Sequence, residues 1–326
     1  MNRSAGGRET AALAGSFLAA LTSAPSGALA QGGGGAVLVA TDSAFGSPQV
    51  YRIDPRTGEV LSQEPLTGTG ALGPTPLSGL VRLASGKLVG FTPSTDNSAY
   101  RIDVETGAAV RLGPLRLGAR EGGLTQREDG TIIGASTGSP PRLFTMDAAT
   151  GRARAAATLD RPADISGLLT RSDGAIIGLD LRQDPGPAEI IEINADTGAT
   201  ETLAVIAADG PLASVGGMTL LGGVGYFTVA GDGLGARAEL WSFDPFTGDQ
   251  RFIATLDGVA AITGLAIAPP PPCRVDLDGD GRATFFDVLR YMELFELRDP
   301  LADVTGDGSI DLFDFVAFLD AIEAGC

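Results

Sequence analysis

The chain has 326 residues, with 40 acidic against 23 basic side chains (formal charge −17), 47 glycines, 20 prolines and no histidine. Without histidine no Ser-His or Cys-His nucleophile pair and no imidazole metal site can be built. The acidic balance excludes the basic surface that a nucleic-acid backbone requires, and the length allows one large or two ordinary domains.

Arg3 and Arg8 precede a short apolar stretch, AALAGSFLAAL (11–21), and the small-x-small sequence ALA ends at Ala30. This reads as a signal peptide over residues 1–30 cleaved before Gln31, with a disordered Ala/Gly-rich leader as the alternative. The stretch is too short to span a bilayer, and no run of eighteen apolar residues follows. The expectation is an exported chain, secreted, periplasmic or at the cell surface, with no transmembrane segment.

Residues 31–268 carry an internal repeat. One half reads VYRIDPRTGEV (50–60), AYRIDVETGAAV (99–110), LFTMDAATGRA (143–153), IIEINADTGAT (190–200) and LWSFDPFTGDQ (240–250), with Asp54, Asp103, Asp147, Asn194 and Asp244 at spacings of 49, 44, 47 and 50. The other half reads SGLVRLASGKLVGF (78–91), GGLTQREDGTIIGA (122–135), SGLLTRSDGAIIGL (166–179), GGMTLLGGVGYFTV (216–229) and a last single strand, TGLAIAP (263–269). Each half is a strand, a turn and a strand. In the D-x-x-T-G element the aspartate, or Asn194 in its place, accepts backbone N–H groups across the turn, and glycine supplies the positive φ.

Two hairpins per repeat make a four-stranded unit, and such units predict a mostly β chain with a five-bladed β-propeller, or six-bladed if one copy escapes the pattern. An open solenoid is the alternative. VLVATD (37–42) lacks an inner partner in its own copy, and TGLAIAP supplies one from the other end, which closes the ring and removes exposed edges. The repeats resemble quinoprotein-like propeller repeats over 36–268. Quinone-dependent dehydrogenases of that kind carry docking tryptophans in each blade, whereas Trp241 stands alone here, so the resemblance implies the fold and not the quinone.

After the proline linker 269–272 come two acidic loops, DLDGDGRATFFD (276–287) and DVTGDGSIDLFD (303–314), starting 27 residues apart. Oxygen donors fall at loop positions 1, 3, 5, 7 and 12, with glycine at 6. They are Asp276, Asp278, Asp280, the Arg282 carbonyl and Asp287 in the first loop. In the second they are Asp303, Thr305, Asp307, the Ser309 carbonyl and Asp314, with Asp311 available at position 9. Twelve residues in this order can wrap six to eight oxygens around calcium, so two bound Ca2+ ions are expected; a pair of metal-free Asp-Gly turns is the alternative. Each loop feeds an apolar helix (285–297 and 312–324), with Phe285, Val288 or Leu289, Met292 and Phe295 on one packing stripe and Leu312, Phe315, Leu319 and Ile322 on the other. Cys273 and Cys326 bracket the segment, and in an exported chain they are read as a disulfide, two free thiols being the alternative.

Residues 273–326 resemble a type I dockerin duplicate, built of EF-hand-like loop–helix units, and in particular the dockerin-like modules ending in Gly-Cys on exported planctomycete-type proteins. The cysteine before the first loop, the F-F-D and L-F-D-F endings and the terminal A-G-C carry that resemblance. It implies a docking partner, a protein or a cell-surface component. Cellulosomal dockerins use polar residues at loop positions 10 and 11, where this chain has Phe285, Phe286, Leu312 and Phe313, so another partner than cohesin is implied.

The leading expectation is therefore an exported, non-enzymatic binding or scaffold protein: a propeller with an unidentified ligand, docked through 273–326. The rival is a carbohydrate-active hydrolase acting on polysaccharide, with two carboxylates about 5–9.5 Å apart in the propeller funnel. Its candidates are Asp42, Asp96, Asp180, Asp232 and Glu239, for each of which a solvated loop residue is the leading reading. A purely structural envelope protein is the third reading.

Overall fold

The computed structural model describes residues 36–42, 44, 47–70, 74–83, 85–93, 96–119, 122–137, 140–182, 187–208, 210–213, 215–231, 236–268, 275, 277, 284–305 and 308–324, with 323 and 324 described by backbone alone. The expected signal peptide, the proline linker, Asp232, Cys273 and Cys326 lie outside these residues. No helix among them is long and apolar enough to cross a membrane.

Twenty described strands form five four-stranded antiparallel sheets. The first blade holds β1 (Val37–Asp42), β2 (Gln49–Ile53) and β3 (Val60–Pro65). The second holds β4 (Ser78–Arg82), β5 (Leu88–Phe91), β6 (Ser98–Ile102) and β7 (Ala109–Pro114). The third holds β8 (Leu124–Gln126), β9 (Ile132–Ser136), β10 (Arg142–Met146) and β11 (Ala153–Thr158). The fourth holds β12 (Ile165–Thr170), β13 (Ile176–Asp180), β14 (Glu189–Ile193) and β15 (Thr200–Val205), and the fifth β16 (Gly217–Leu221), β17 (Val224–Ala230), β18 (Ala238–Phe243) and β19 (Gln250–Thr255). The innermost strand of the first blade is β20 (Ile262–Ala268), paired to β1 with Leu38 opposite Ile267 and Ala40 opposite Leu265. The ring closes by the pairing read from the sequence, with five blades.

The core lies between blades. Val37 and Val39 face the second blade, with Leu80, Leu88 and Tyr100. Leu38 and Ala40 face the fifth, with Ala238, Leu240 and Leu256. Matching clusters fill the other three interfaces. Both faces of β1 are thus covered and it is buried along its whole length, whereas the outermost strand β3 alternates between half-buried and exposed residues.

The D-x-x-T-G turns join β2–β3, β6–β7, β10–β11, β14–β15 and β18–β19. Oδ1 of Asp54, Asp103, Asp147, Asn194 and Asp244 accepts the N–H groups two and three residues on, at 2.6–3.3 Å. The turn glycines also touch the preceding blade. A Cβ at Gly107 (φ +66°) would stand 2.3 Å from the Pro65 carbonyl of the first blade, and one at Gly198 (φ +76°) 2.0 Å from that of Thr158 in the third. The motif is therefore a turn and an inter-blade clasp at once.

The C-terminal region forms α1 (Phe285–Glu296), a short 3-10 turn (Pro300–Ala302) and α2 (Leu312–Ala324). Its core is Tyr291, Leu294, Ala302, Phe318 and Val275, with Val288, Phe295, Phe315 and Ile322 beside them, and the Tyr291 and Phe318 rings stack at 4.1 Å. The expected packing stripes are rotated. Phe285, Met292, Leu312 and Leu319 are exposed, because both helices are apolar on most faces and the buried stripe runs instead through 288, 291, 294 and 295 and through 315, 318 and 322.

Candidate functional site

Five glycines bring the inner strands together on the propeller axis. A Cβ on Gly123 would lie 2.4 Å from Leu168 N, one on Gly167 2.6 Å from Met218 Cβ, one on Gly217 2.6 Å from Leu265 Cβ and one on Gly264 2.9 Å from Leu80 Cβ. Gly79 completes the circle 2.7 Å from the Gly122 carbonyl. Real side chains do not approach so closely, so glycine inside these strands marks backbone meeting backbone. The next residues, Leu80, Leu124, Leu168, Met218 and Leu265, are all buried, and the first four floor a cup of about 400 Å³.

The cup opens where the inner strands end. At its third register stand Val81, Thr125, Leu169, Thr219 and Ala266, and at its fourth Arg82, Gln126, Thr170, Leu220 and Ile267; all but Ala266 line it. The Thr125 and Thr170 hydroxyls hydrogen-bond at 2.9 Å, and Gln126 donates Nε2–H to the Gly130 carbonyl at 2.9 Å. Arg82 has a buried Nε–H with no acceptor among the described residues. The arginines Arg52 and Arg161 also bury an unpaired Nε–H, but their head groups meet Glu105 and Glu189. Leaving such a donor buried costs about 1–3 kcal/mol. The cup is thus polar and cationic toward blades two to four and aliphatic toward blades five and one. Sequence reasoning missed it; the available signal was the residue two places after each Gly-Leu or Gly-Met, the one place where the inner-strand copies disagree most.

A second, larger cleft of about 830 Å³ lies at blades two and three, lined by Arg116, Arg152, Arg154, Asp129 and Asp147 among others. The Thr150 hydroxyl and N–H hold the Asp147 carboxyl below its ordinary range, and the Thr131 N–H does the same for Asp129. Both carboxylates are exposed turn residues.

The carboxylates proposed for hydrolysis sit elsewhere: Asp42 and Asp180 end the second strands of their blades, Asp96 follows one, and Glu239 lies on the third strand of its blade. Asp42 is buried; it accepts from Gln49 N at 2.9 Å and Tyr51 Oη at 3.0 Å. Asp96 accepts from Tyr100 Oη at 2.5 Å and Thr92 Oγ1 at 3.1 Å. Burial first, then these carboxylates, push both tyrosine phenols upward. Asp180 accepts from Asp164 N and Arg182 N at 2.8 and 3.1 Å, and the Arg161 head group lies 3.6 Å from it and 2.5 Å from Glu189. Glu239 accepts from Trp241 Nε1 at 3.0 Å. Each is held by donors of its own blade or the connection leading into it, and none of them lines the cup.

The expectation of two calcium ions is corrected. Among the described residues no group of three or more His, Cys, Asp or Glu side chains could hold a metal. The described carboxylates are spent on backbone N–H groups instead. Asp287 accepts from Leu277 N and Thr284 N, both at 2.7 Å, and closes a capping box with Thr284 at the start of α1. Asp314 accepts from Thr305 N at 3.0 Å, Thr305 Oγ1 at 2.9 Å and Asp311 N at 2.9 Å, and these donors, the Thr305 N–H first, hold its carboxyl below the aspartate range. Asp311 caps Phe313 N at 2.8 Å, and Asp303 accepts from Gly308 N at 2.9 Å. Asp276, Asp278, Asp280, Arg282 and Asp307 lie outside the described residues, as do Cys273 and Cys326 of the expected disulfide; Ser309 is described.

No family model and no curated protein matches the sequence. Among solved structures, TolB from Acinetobacter baumannii overlays with a TM-score of 0.42 at 14% identity, covering 72% of this chain and 66% of that one. A GH43 glycoside hydrolase engineered to show both endo-xylanase and exo-arabinofuranosidase activity overlays at 0.44 and 13% identity, covering 57% and 43%. This chain therefore spans just under two thirds of the first chain's length and under half of the second's. The propeller architecture rests on the strand pairing itself.

Proposed function

We propose that the chain is an exported binding protein whose propeller takes a small carbohydrate-type ligand in the axial cup. The observation that carries this reading is the break in repeat symmetry. Four of the five inner strands keep Gly-Leu and the fifth Gly-Met, while the residue two places on changes from Arg82 to Gln126, Thr170, Leu220 and Ile267. Packing needs explain the kept positions, and the changed ones surround a concave site. Hydroxyls, an amide and a guanidinium beside an aliphatic wall suit a ring that is polar at its edge and apolar on its face. Calorimetric titration of the full chain with mono- and disaccharides tests it: binding that a Thr170→Trp replacement abolishes supports the reading, and binding indifferent to that replacement removes it.

Docking by the helical region belongs to the same proposal. Its support is the dockerin-like pattern together with a repeated exposed apolar face, Phe285, Phe286, Leu289 and Met292 on α1 and Leu312, Phe313, Val316 and Leu319 on α2, far more than a surface commonly leaves bare. Replacing Phe286 and Phe313 by serine should abolish retention of the protein on the cell envelope while leaving its fold intact; unchanged retention would end the docking reading.

A second reading, glycoside hydrolysis by paired carboxylates, has one arrangement in its favour: Asp180 and Glu189 sit opposite each other on β13 and β14 with Arg161 between them. Turnover of a polysaccharide that falls at least a hundredfold in Asp180→Asn would establish it, and turnover unaffected by that change would dismiss this pair.

A further inference from the structure

We infer that the ligand of the axial cup carries a carboxylate, as a small sugar acid does, and that this group seats on Arg82. The inference rests on the cup being a ligand site and adds the charge class of what fills it.

Arg82 ends the inner strand of the second blade, and its Nη2 lies 3.9 Å from where a Cβ on Gly86 would stand, beside the β4–β5 turn. The paired arginines show what this chain does with a buried or partly buried guanidinium. Arg52 meets Glu105, Arg161 meets Glu189, and Arg171 meets Asp173 and Glu192. Arg82 has no such partner among the described residues, although acidic side chains outnumber basic ones by 40 to 23. A chain so rich in carboxylates leaves this guanidinium at the lining of the cup with no carboxylate partner among the described residues. That fork matches a carboxylate in two parallel hydrogen bonds. A phosphate, with close to two charges, would call for more than Arg82, the one cation among the described residues that line the cup. Round the ring from Arg82, Gln126 and Thr170 offer an amide and a hydroxyl for ligand hydroxyls, and Leu220 and Ile267 offer an apolar wall.

The test is calorimetric titration of the full chain with matched pairs, glucuronate against glucose and galacturonate against galactose, with inorganic phosphate as a third arm. The variants are Arg82→Gln, Arg82→Lys and Thr170→Trp, each checked for native circular dichroism. The expected result is binding of an acid, with its neutral partner and phosphate much weaker. Arg82→Gln should weaken the acid about ten- to hundredfold, the range of a charge-assisted bond, and Arg82→Lys should weaken it less. Acid and neutral sugar binding alike, both lost in Thr170→Trp but unchanged in Arg82→Gln, would overturn the charge assignment and leave the cup standing. Phosphate binding tighter than either acid would also overturn it. No binding by any probe, or binding that survives all three replacements, would overturn the cup reading and this inference with it.

Discussion

Gly123→Ala isolates the closeness of the inner strands. Gly123 does not have the positive φ that penalises alanine, so the methyl group adds only volume. That methyl would meet Leu168 N at 2.4 Å and the Gly167 carbonyl carbon at 2.5 Å. Ordinary contact begins at 3.4 Å, so the third and fourth blades must part by about 1 Å. The obstruction is backbone, which cannot turn to another rotamer, and four other interfaces hold the ring shut. Overpacking of this kind costs about 1–3 kcal/mol, against about 0.4–1 kcal/mol recovered from the unfolded state. A net loss of about 1–2 kcal/mol follows, a fall in Tm of about 2–8 °C for a domain of this size. Two controls separate the causes: Gly130→Ala meets nothing within 4 Å but has φ +85°, and Gly231→Ala meets only Ala236 Cβ at 3.6 Å. The first should cost about 1 kcal/mol and the second nothing. Urea unfolding followed by Trp241, stacked on Phe227 in the fifth blade, reads all three. If Gly123→Ala falls within 0.5 kcal/mol of the wild type, the scale set by ordinary overpacking, the axial seal is not as tight as described.

Asp147 has its carboxyl lowered by the Thr150 hydroxyl and then the Thr150 N–H, so its contribution is complete above about pH 4 and is lost as pH falls through the lowered folded value. Asp147→Asn keeps the acceptor, as Asn194 does in the fourth blade, and should flatten that part of the acid limb in pH-dependent urea melts; parallel curves would contradict it. Arg171→Met loses an N–H bond of 3.0 Å to the Pro245 carbonyl and the Phe246 ring face at 4.6 Å. Its ion pairs to half-exposed Asp173 and Glu192 add little, so a cost of about 1–2 kcal/mol in urea is expected, with Arg171→Lys recovering only part. Tyr291→Phe removes the bond from Tyr291 Oη to the Ala302 carbonyl at 3.1 Å and should lower helix stability by about 1 kcal/mol, read from ellipticity at 222 nm because the propeller is all strand.

The features legible in the sequence are those whose cause is local. The D-x-x-T-G turn satisfies its own N–H groups, so its pattern shows at every copy, and the unpaired strand at 263–269 could be matched to residues 37–42 by counting. The glycine of each Gly-Leu pair was equally visible, yet its cause lies in another blade: nothing near Gly167 in sequence says that Met218 will stand 2.6 Å from its Cβ position. Arg82 was hidden because it precedes the Ser-Gly turn at 85–86 and reads as a solvated turn residue. In the helical region the aspartate spacing suits metal ligation and helix capping equally. The described oxygens of Asp287 and Asp314 accept N–H groups, so spacing alone favoured the wrong assignment. The exposed stripe of α1 and α2 was misplaced for another reason: apolar residues on most faces leave periodicity nothing to choose between.

Arg82 itself can be weighed against its equivalents. Leu220 and Ile267 occupy the same register in the fifth and first blades, so an aliphatic side chain is compatible with this position in the fold. Among the described residues an arginine there buries an N–H without an acceptor, at about 1–3 kcal/mol, and confers no ion pair in return. If the residue served the fold, leucine should be worse; if it serves a ligand, leucine should be better until ligand is present. Arg82→Leu should therefore raise the Tm of the ligand-free protein by a few degrees, about 2–4 °C per kcal/mol recovered, and abolish any rise produced by glucuronate. A drop in the ligand-free Tm would show that Arg82 supports the blade, and the case for an anion in the cup would lose its physical ground.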